Sequence, residues 1–395
     1  MRVKQGALYC AEHLTATATA TETDTAESED KRIPCPLDPA HSVYESKLKA
    51  HLKKCNARNP EIMPSYFSKD LNSFGDAGIE EDGGARVPSI SELVERIDAV
   101  SKDYPLVTER FESSDKSTPN ETEKHRLQQD ALSKLILQKI DPAKYEKVVV
   151  IEFGAGKGGL SSYLWESFFQ TQAALQSEFI LIDRSNSRCK KDAKMKHEGA
   201  IVKRIFIDIK DLDLEELLAG YDKEKTYFLW ISKHLCGAAT CLTLNSLTKV
   251  GTGIKATFCV ALCCHQCCNW AAYPNKTFLF ESGLIKRGEE DAAKVFRMLC
   301  SITSWAVCGF REYEDEGAQA VKKAKLQVPE YLEALNEDEI FSVEKKESIG
   351  RCMKRLLDHG RQLKLKTIIP NCELKHYIEE EVTLENAVLL GHTSD

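Results

Sequence analysis

From residue 147 onward the chain alternates short apolar runs with longer amphipathic ones. The apolar runs fall at 148–151, 178–182, 201–207, 227–231 and 256–262. Runs that short, bounded by turn residues, predict strands buried on both faces. Helical spacing fills the gaps: residues 160–170, a Lys/Arg-rich stretch after Ile182, and 214–218. Strand–helix alternation predicts an α/β protein with a doubly wound, mostly parallel sheet and ligands at the strand C-termini. Two helices precede it. Ser89 and Glu92 form a capping box ahead of Leu93, Val94, Ile97 and Val100. Residues 122–140 carry Leu127, Ala131, Leu135 and Ile136 at helical spacing. Residues 331–389 read as a helical, basic region, with a late segment around Tyr377, Glu385 and Asn386 placed to close the sheet.

Upstream of residue 89 the periodicity fails. Residues 14–32 are Thr/Ala low complexity followed by acids, which predicts a disordered linker. Residues 59–88 are rich in Pro, Gly, Ser and Asp and read as a second linker. Between them, 33–58 has almost no apolar core, but it holds Cys35-x5-His41-x9-His51-x3-Cys55. Two Cys and two His suit tetrahedral zinc, and the ion would fold a segment too small to fold by burial. His51 and Cys55 lie one helical turn apart, so both can face one ion. Lys47, Lys49, Lys53, Lys54 and Arg58 stud the same stretch, either as a solvated face or as phosphate contacts. The organisation is therefore a short Cys/His-bearing segment (1–13) that reads as the remnant of a finger, a linker (14–32), a metal finger (33–58), a linker (59–88) and one large domain (89–395).

Composition changes this picture little. The apolar content of 42% is ordinary for a folded domain. No run approaches the ~18 apolar residues of a membrane span. The first 14 residues lack a long apolar core, so no secretory signal is expected and the cytoplasm or nucleus is. In those compartments 15 cysteines are thiols or metal ligands. A net charge of −7 does not advertise nucleic-acid binding. Locally, however, Lys345, Lys346, Arg351, Lys354, Arg355, Arg361, Lys364 and Lys366 make a basic stretch suited to an RNA backbone, if it is not simply a solvated helix.

The chemistry starts at 147–160, KVVVIEFGAGKGGL, where the first apolar run meets Glu152 and glycines at 154, 156, 158 and 159. Glycines let backbone N–H groups approach a ligand, and the following helix N-terminus favours negative charge. Two cofactors fit. Gly154-x-Gly156-x-x-Gly159 with Asp183 on the next strand matches a dinucleotide fingerprint. Glu152-x-Gly154-x-Gly156-x-Gly158 fits S-adenosylmethionine (SAM) equally well. Two further constellations sit at strand ends: ISKHLCG at 231–237 and ALCCHQCCNW at 261–270. Cys264-x-x-Cys267 has zinc-knuckle spacing, although small buried thiols are the simpler reading.

These motifs together carry a resemblance. CPLDPAHSVYESKLKAHLKKC resembles the CHHC zinc fingers of some RNA-processing proteins. LYCAEH resembles the end of a CCCH finger whose first two cysteines are absent, with Cys10 and His13 as its last two ligands. KHRLQQDALSKL, VIEFGAGKGGLS, LIDRSNSRCKKD, KHLCGAATCLTL, TSWAVCGF and IGRCMKRLLDHGR occur in the order seen in the tRNA 2'-O-methyltransferases that modify the ribose of the fourth nucleotide of the acceptor stem. Such enzymes usually read CCHHRC, an acid and Trp at the fifth strand, whereas this chain has Gln266, Cys267 and Asn269 there.

The resemblance implies a class I SAM-dependent methyltransferase with Zn2+ in the finger and a tRNA acceptor stem as substrate. With the strand-end positions it places Glu152, Gly154, Gly156, Gly158, Asp183 and Asp208 around SAM. Asp183 would accept the ribose hydroxyls, and Asp208 would lie near the adenine amine. Lys233, His234 and His265 are the candidate catalytic residues for removing the hydroxyl proton. Two rivals remain: a non-catalytic RNA-binding protein on this fold, and an NAD-dependent oxidoreductase.

Overall fold

The computed structural model describes residues 31–53, 55, 63–73, 86–104, 121–141, 144–172, 174–185, 187, 190–251, 253–306 and 341–393. Cys10, His13 and most of the 14–32 linker lie outside the described residues, as do 307–340. The chain divides into two units, Met1–Pro64 and Ser65–Asp395.

In the first unit, β1 (Arg32–Cys35) and β2 (Asp38–Tyr44) form an antiparallel hairpin. A single 3-10 turn leads into α1 (Leu48–Leu52). Arg32 ties the hairpin by donating to the Ser42 hydroxyl (3.0 Å) and carbonyl (2.8 Å), and it lies over the Tyr44 ring. Among the described residues of this unit the buried apolar side chains are Cys35 and Cys55.

The second unit is built on a seven-stranded sheet. Its strands are β3 (Lys147–Phe153), β4 (Gln176–Asp183), β5 (Ile201–Phe206), β6 (Thr226–Ser232), β7 (Ala256–Ala261), β8 (Asn371–His376) and β9 (Ala387–His392). The order is β5-β4-β3-β6-β7-β9-β8, and β9 alone runs opposite to the other six strands. The chain winds outward from β3 to β5, then returns to place β6 on the other side of β3. That reversal is the topological switch point, where such sheets open a crevice. The five expected parallel strands are present. The closing strands flank the 377–386 segment rather than containing it.

The helices follow from apolar stripes. They are α2 (Ile90–Ser101), α3 (Glu121–Leu137), α4 (Gly159–Ser167), α5 (Asp192–His197), α6 (Leu214–Leu218), α7 (Ala238–Val250), α8 (Lys276–Glu281), α9 (Ala292–Ile302) and α10 (Val343–Lys366). Alternate residues of β3 feed opposite layers. Val149, Ile151 and Phe153 join α6 and α7, while Val148 and Val150 join α3 and α4. A third cluster packs α2, α8 and α9 against α10. No helix among the described residues is long and apolar enough to cross a membrane.

Three details depart from the sequence reading. The Ser89 hydroxyl caps α2 by accepting from the Glu92 N–H (3.2 Å), but the Glu92 carboxylate pairs with Arg86 and Arg96, so the capping box is half formed. Residues 65–73, read as linker, dock on the sheet unit, where the buried Asn72 amide donates to the carbonyls of Ile209 and Leu212 (2.7 Å each). The cations of α10 do not form one exposed face. Lys346, Lys354 and Arg361 are buried, and Lys354 pairs with Glu385 at 2.5 Å.

Candidate active site

The turn after β3 is shaped by left-handed backbone. Gly154, Gly156 and Gly158 have φ of 61°, 50° and 74°. At Gly156 a Cβ would meet nothing within 4 Å, so this glycine leaves an open cradle. Its N–H donates to Asp183 Oδ2 (2.7 Å), and Ser185 donates twice to Asp183 Oδ1 (2.7 and 2.8 Å). The acid ending β4 therefore sits on the glycine turn. Half-buried Asp208 follows β5 and accepts from the Lys210 N–H at 3.0 Å. Arg204 supports the turn from below, donating to the Gly156 carbonyl (2.9 Å) while forked onto Asp192. Sequence reasoning missed Arg204, since its partner is 48 residues away.

Glu152 stands near the end of β3, just before the glycine turn. It is buried, and its Oε2 accepts from the Ser161 hydroxyl (2.5 Å) and N–H (3.1 Å), which ties it to the first turn of α4. Burial raises its carboxyl to about 7, with the Ser161 hydrogen bonds working against that rise.

The loop after β6 closes the other side. Ser232 Oγ donates to the Phe153 carbonyl (2.7 Å) and so locks the ends of β6 and β3 together. A Cβ on Gly154 would lie 3.0 Å from Leu235 Cδ1 and 3.5 Å from the His234 carbonyl. The glycine turn and the 233–235 segment are thus in contact. Lys233 Nζ lies 2.9 Å from His125 Nδ1 and 3.4 Å from the His125 carbonyl. His125 and His234 meet edge to face, their ring centroids 6.2 Å apart. Beside them lies a cleft of about 380 Å³ lined by Lys124, His125, Gln128, His234, Val382, Thr383, Leu384 and Glu385. Desolvation, with the charges of Lys233 and His125, lowers the His234 pKa, so its ring is neutral at pH 7. His125, 108 residues from Lys233, belongs to this site and was not anticipated.

His265 does not join that cleft. Its side chain is fully buried, and Nε2 lies 2.7 Å from Asp358 Oδ1. Burial pushes the imidazole below its ordinary value against the pull of Asp358. Burial also pushes the Asp358 carboxyl up, but His265 and Arg361 outweigh it and hold it down at about 2. Arg361 completes the knot, donating to Asp358 (3.0 Å), to the Gly237 carbonyl (3.2 Å) and to Cys268 Sγ (2.8 Å). A proton acceptor must touch reacting atoms, so the geometry makes His265 a structural residue that fastens the 263–268 loop to α10.

In the finger, His51 Nε2 and Cys55 Sγ lie 3.2 and 3.7 Å from Cys35 Sγ. A tetrahedral zinc with ~2.3 Å Zn–S bonds spaces two thiolates about 3.8 Å apart, so this set fits such an ion. The His41 side chain lies outside the described residues. A second group, Cys236, Cys263 and Cys264, also brings its sulfurs within 4.8 Å of one another.

Two family models match the chain: Methyltransferase TRM13 over residues 127–392, and the U11-48K-like CHHC zinc finger over residues 32–56. Among curated relatives, the tRNA:m(4)X modification enzyme TRM13 of Scheffersomyces stipitis is 32% identical, covering 98% of this chain and 96% of that one. The Saccharomyces cerevisiae enzyme of the same name is 30% identical over 97% of this chain and 91% of its own. The Homo sapiens homolog is 29% identical, covering 98% and 91%.

Proposed function

This chain belongs to the TRM13 methyltransferase family, and from that premise we propose that it transfers a methyl group from SAM to the ribose 2'-hydroxyl of the fourth nucleotide in a tRNA acceptor stem. The observation that carries the reading is the contact between two elements at the switch point. The Gly154–Gly158 turn, closed by Asp183, abuts the loop that presents Lys233 and His234 to the cleft. SAM supplies an electrophilic methyl on a sulfonium.

Gly156 gives a ligand close approach to the backbone, and Asp183 is positioned to accept from the hydroxyls of a ribose. Asp208 stands at the next strand end for the adenine amine. Gly154, Gly156 and Gly158 shape the turn, while Glu152 anchors it to α4 from within and supplies buried negative potential for the cofactor's ammonium. In the cleft, Lys233 is steadied by His125 and orients the ribose oxygen. Neutral His234 takes the hydroxyl proton as the oxygen–methyl bond forms and the sulfur–methyl bond breaks. A ribose hydroxyl is too weak an acid to ionise beforehand, so proton removal and transfer are concerted. Holding the two reactants in line supplies much of the remaining acceleration.

Cys35, His41, His51 and Cys55 are proposed as the zinc ligands of the finger, whose Lys47, Lys49 and Lys53 suit phosphate contact. Acceptor-stem RNA is A-form, so recognition rests on shape, phosphates and 2'-hydroxyls. We assign residues 33–58 to the finger and the sheet unit, including its docked 65–73 segment, to catalysis.

The test is incubation with radiolabelled SAM and unmodified tRNA, followed by mapping of the label. The expected result is one ribose methyl at the fourth nucleotide, visible as resistance of that linkage to alkali. Label at a base, or at another nucleotide, would overturn the substrate assignment. SAM binding with no transfer to any tRNA would leave the non-catalytic RNA-binding reading standing instead.

A further inference from the structure

We propose that Cys236, Cys263 and Cys264 form a second metal site, which takes a thiophilic divalent ion such as zinc and clasps together the loops that follow β6 and β7. The inference is independent of the methyl-transfer reading and rests on the placement of three sulfur atoms.

All three sulfurs lie within 4.8 Å of one another. Cys236 Sγ and Cys263 Sγ are 3.7 Å apart, the same separation as Cys35 Sγ and Cys55 Sγ in the finger. It is also the spacing of two thiolates on one tetrahedral zinc, about 3.8 Å for ~2.3 Å bonds.

The backbone accounts for how this happens. Successive side chains of an extended segment point to opposite sides, so Cys263 and Cys264 would ordinarily diverge. Cys264 instead adopts a left-handed conformation, φ 50° and ψ 46°. Among the described residues only Asp70 shares a positive φ without being glycine. The turn at Cys264 ends the alternation and lets both sulfurs converge on Cys236. The partner loop is shaped to match. Gly237 has φ 54°, and a Cβ there would lie 2.5 Å from the Cys267 carbonyl carbon, so only glycine permits the approach that brings Cys236 alongside.

Two neighbouring cysteines are used otherwise. Cys268 and Cys241 accept hydrogen bonds from Arg361, and the converging sulfurs are those of Cys236, Cys263 and Cys264 rather than the Cys264-x-x-Cys267 spacing alternative. Three thiolates fill three tetrahedral positions. Cys236 is exposed, so the fourth opens toward solvent and takes water. Cys236 lies three residues after Lys233, and Glu385 of the cleft accepts from the Cys264 N–H at 3.2 Å. The ion would therefore stiffen the loop that carries Lys233 and His234.

The experiment is metal analysis of the full-length protein purified under reducing conditions, combined with alkylation footprinting. Two zinc equivalents per chain are expected. Cys35→Ser should remove one and Cys236→Ser the other, the latter an exposed thiol whose replacement leaves the core untouched. On the unmutated protein, Cys236 should resist alkylation until a strong chelator is added. Cobalt replacement should give a thiolate-to-metal charge-transfer band that weakens in Cys236→Ser and persists in Cys35→Ser. A zinc content unchanged by Cys236→Ser would overturn the proposal. So would equal alkylation of Cys236 with and without chelator, or recovery of Cys236 and Cys263 as a metal-free disulfide.

Discussion

The finger and the sheet reach order by opposite routes. In the described part of the finger the buried apolar side chains are two cysteines, and their neighbours are mostly charged or exposed. In the sheet, every residue of β6 from Thr226 to Ser232 is buried, and Phe228 and Trp230 sit in a cluster that draws on all seven strands. One unit is held at a point by donor atoms, the other over an area by dispersion and the hydrophobic effect. The difference teaches where each is fragile. Deleting one ligand dismantles the first, whereas a single truncation only weakens the second.

The largest expected effect follows from that contrast. Cys35→Ser should abolish order in residues 32–55, because structural zinc binding in such modules contributes on the order of 10 kcal/mol. Amide NMR signals of the hairpin should collapse and tRNA affinity should fall, while SAM affinity stays within about twofold. Loss of SAM binding as well would mean that the two units are not separable.

Next comes chemistry on the sheet side. Lys233→Ala should lower turnover by roughly 10²-fold, the usual cost of losing a group that orients a reacting atom, with SAM binding retained by titration calorimetry. His125→Ala should give a smaller loss of the same kind. Trp230→Ala should then cost about 3–5 kcal/mol in denaturant melts and leave the finger's zinc in place. Zinc release by that variant would break the comparison.

Glu152 ties stability to pH. Its folded pKa of about 7 lies above its ordinary 4.5, so the folded state holds the proton more tightly than the unfolded chain. The protonated carboxyl therefore contributes stability that is present below pH 4.5, declines between 4.5 and 7, and is gone above 7. The shift corresponds to about 3 kcal/mol. Glu152→Gln should thus raise the melting point relative to the unmutated protein at pH 8, with the gain vanishing near pH 4, while SAM affinity falls. Equal effects at both pH values would show that Glu152 is not buried as described. The smallest effect is expected at Ser89→Ala, about 1 kcal/mol from the lost cap of α2, measurable as a slightly lower melting temperature.

Much of this was legible in the sequence, for identifiable reasons. The parallel strands announced themselves because burial on both faces makes their apolar runs continuous, and the glycine turn because few residues tolerate positive φ. The finger donors were legible because they fall within 21 residues of chain. Side-chain direction was not legible. His265 stands at a strand end as expected, yet it faces Asp358, 93 residues onward, rather than the cleft. Lys346, Lys354 and Arg361 read as part of a basic surface, yet the amphipathic twist of α10 turns them inward, where Lys354 meets Glu385 and Arg361 meets Asp358. His125 and Arg204 contribute through long-range pairings that no local period encodes.

The position of β9 bears on the order in which the molecule is made. This strand pairs with β7 on one side and β8 on the other, so residues 387–392 slot between strands that the ribosome has already released. Until they emerge, Thr257–Ala261 presents an unpaired hydrogen-bonding edge, and β8 has no neighbour to join. Growing chains thus pass through a stage in which the crevice side of the sheet is assembled while its far flank stays adhesive. A nascent chain stalled before residue 387 is accordingly the species most in need of a chaperone, and the one most prone to pair with another copy of itself.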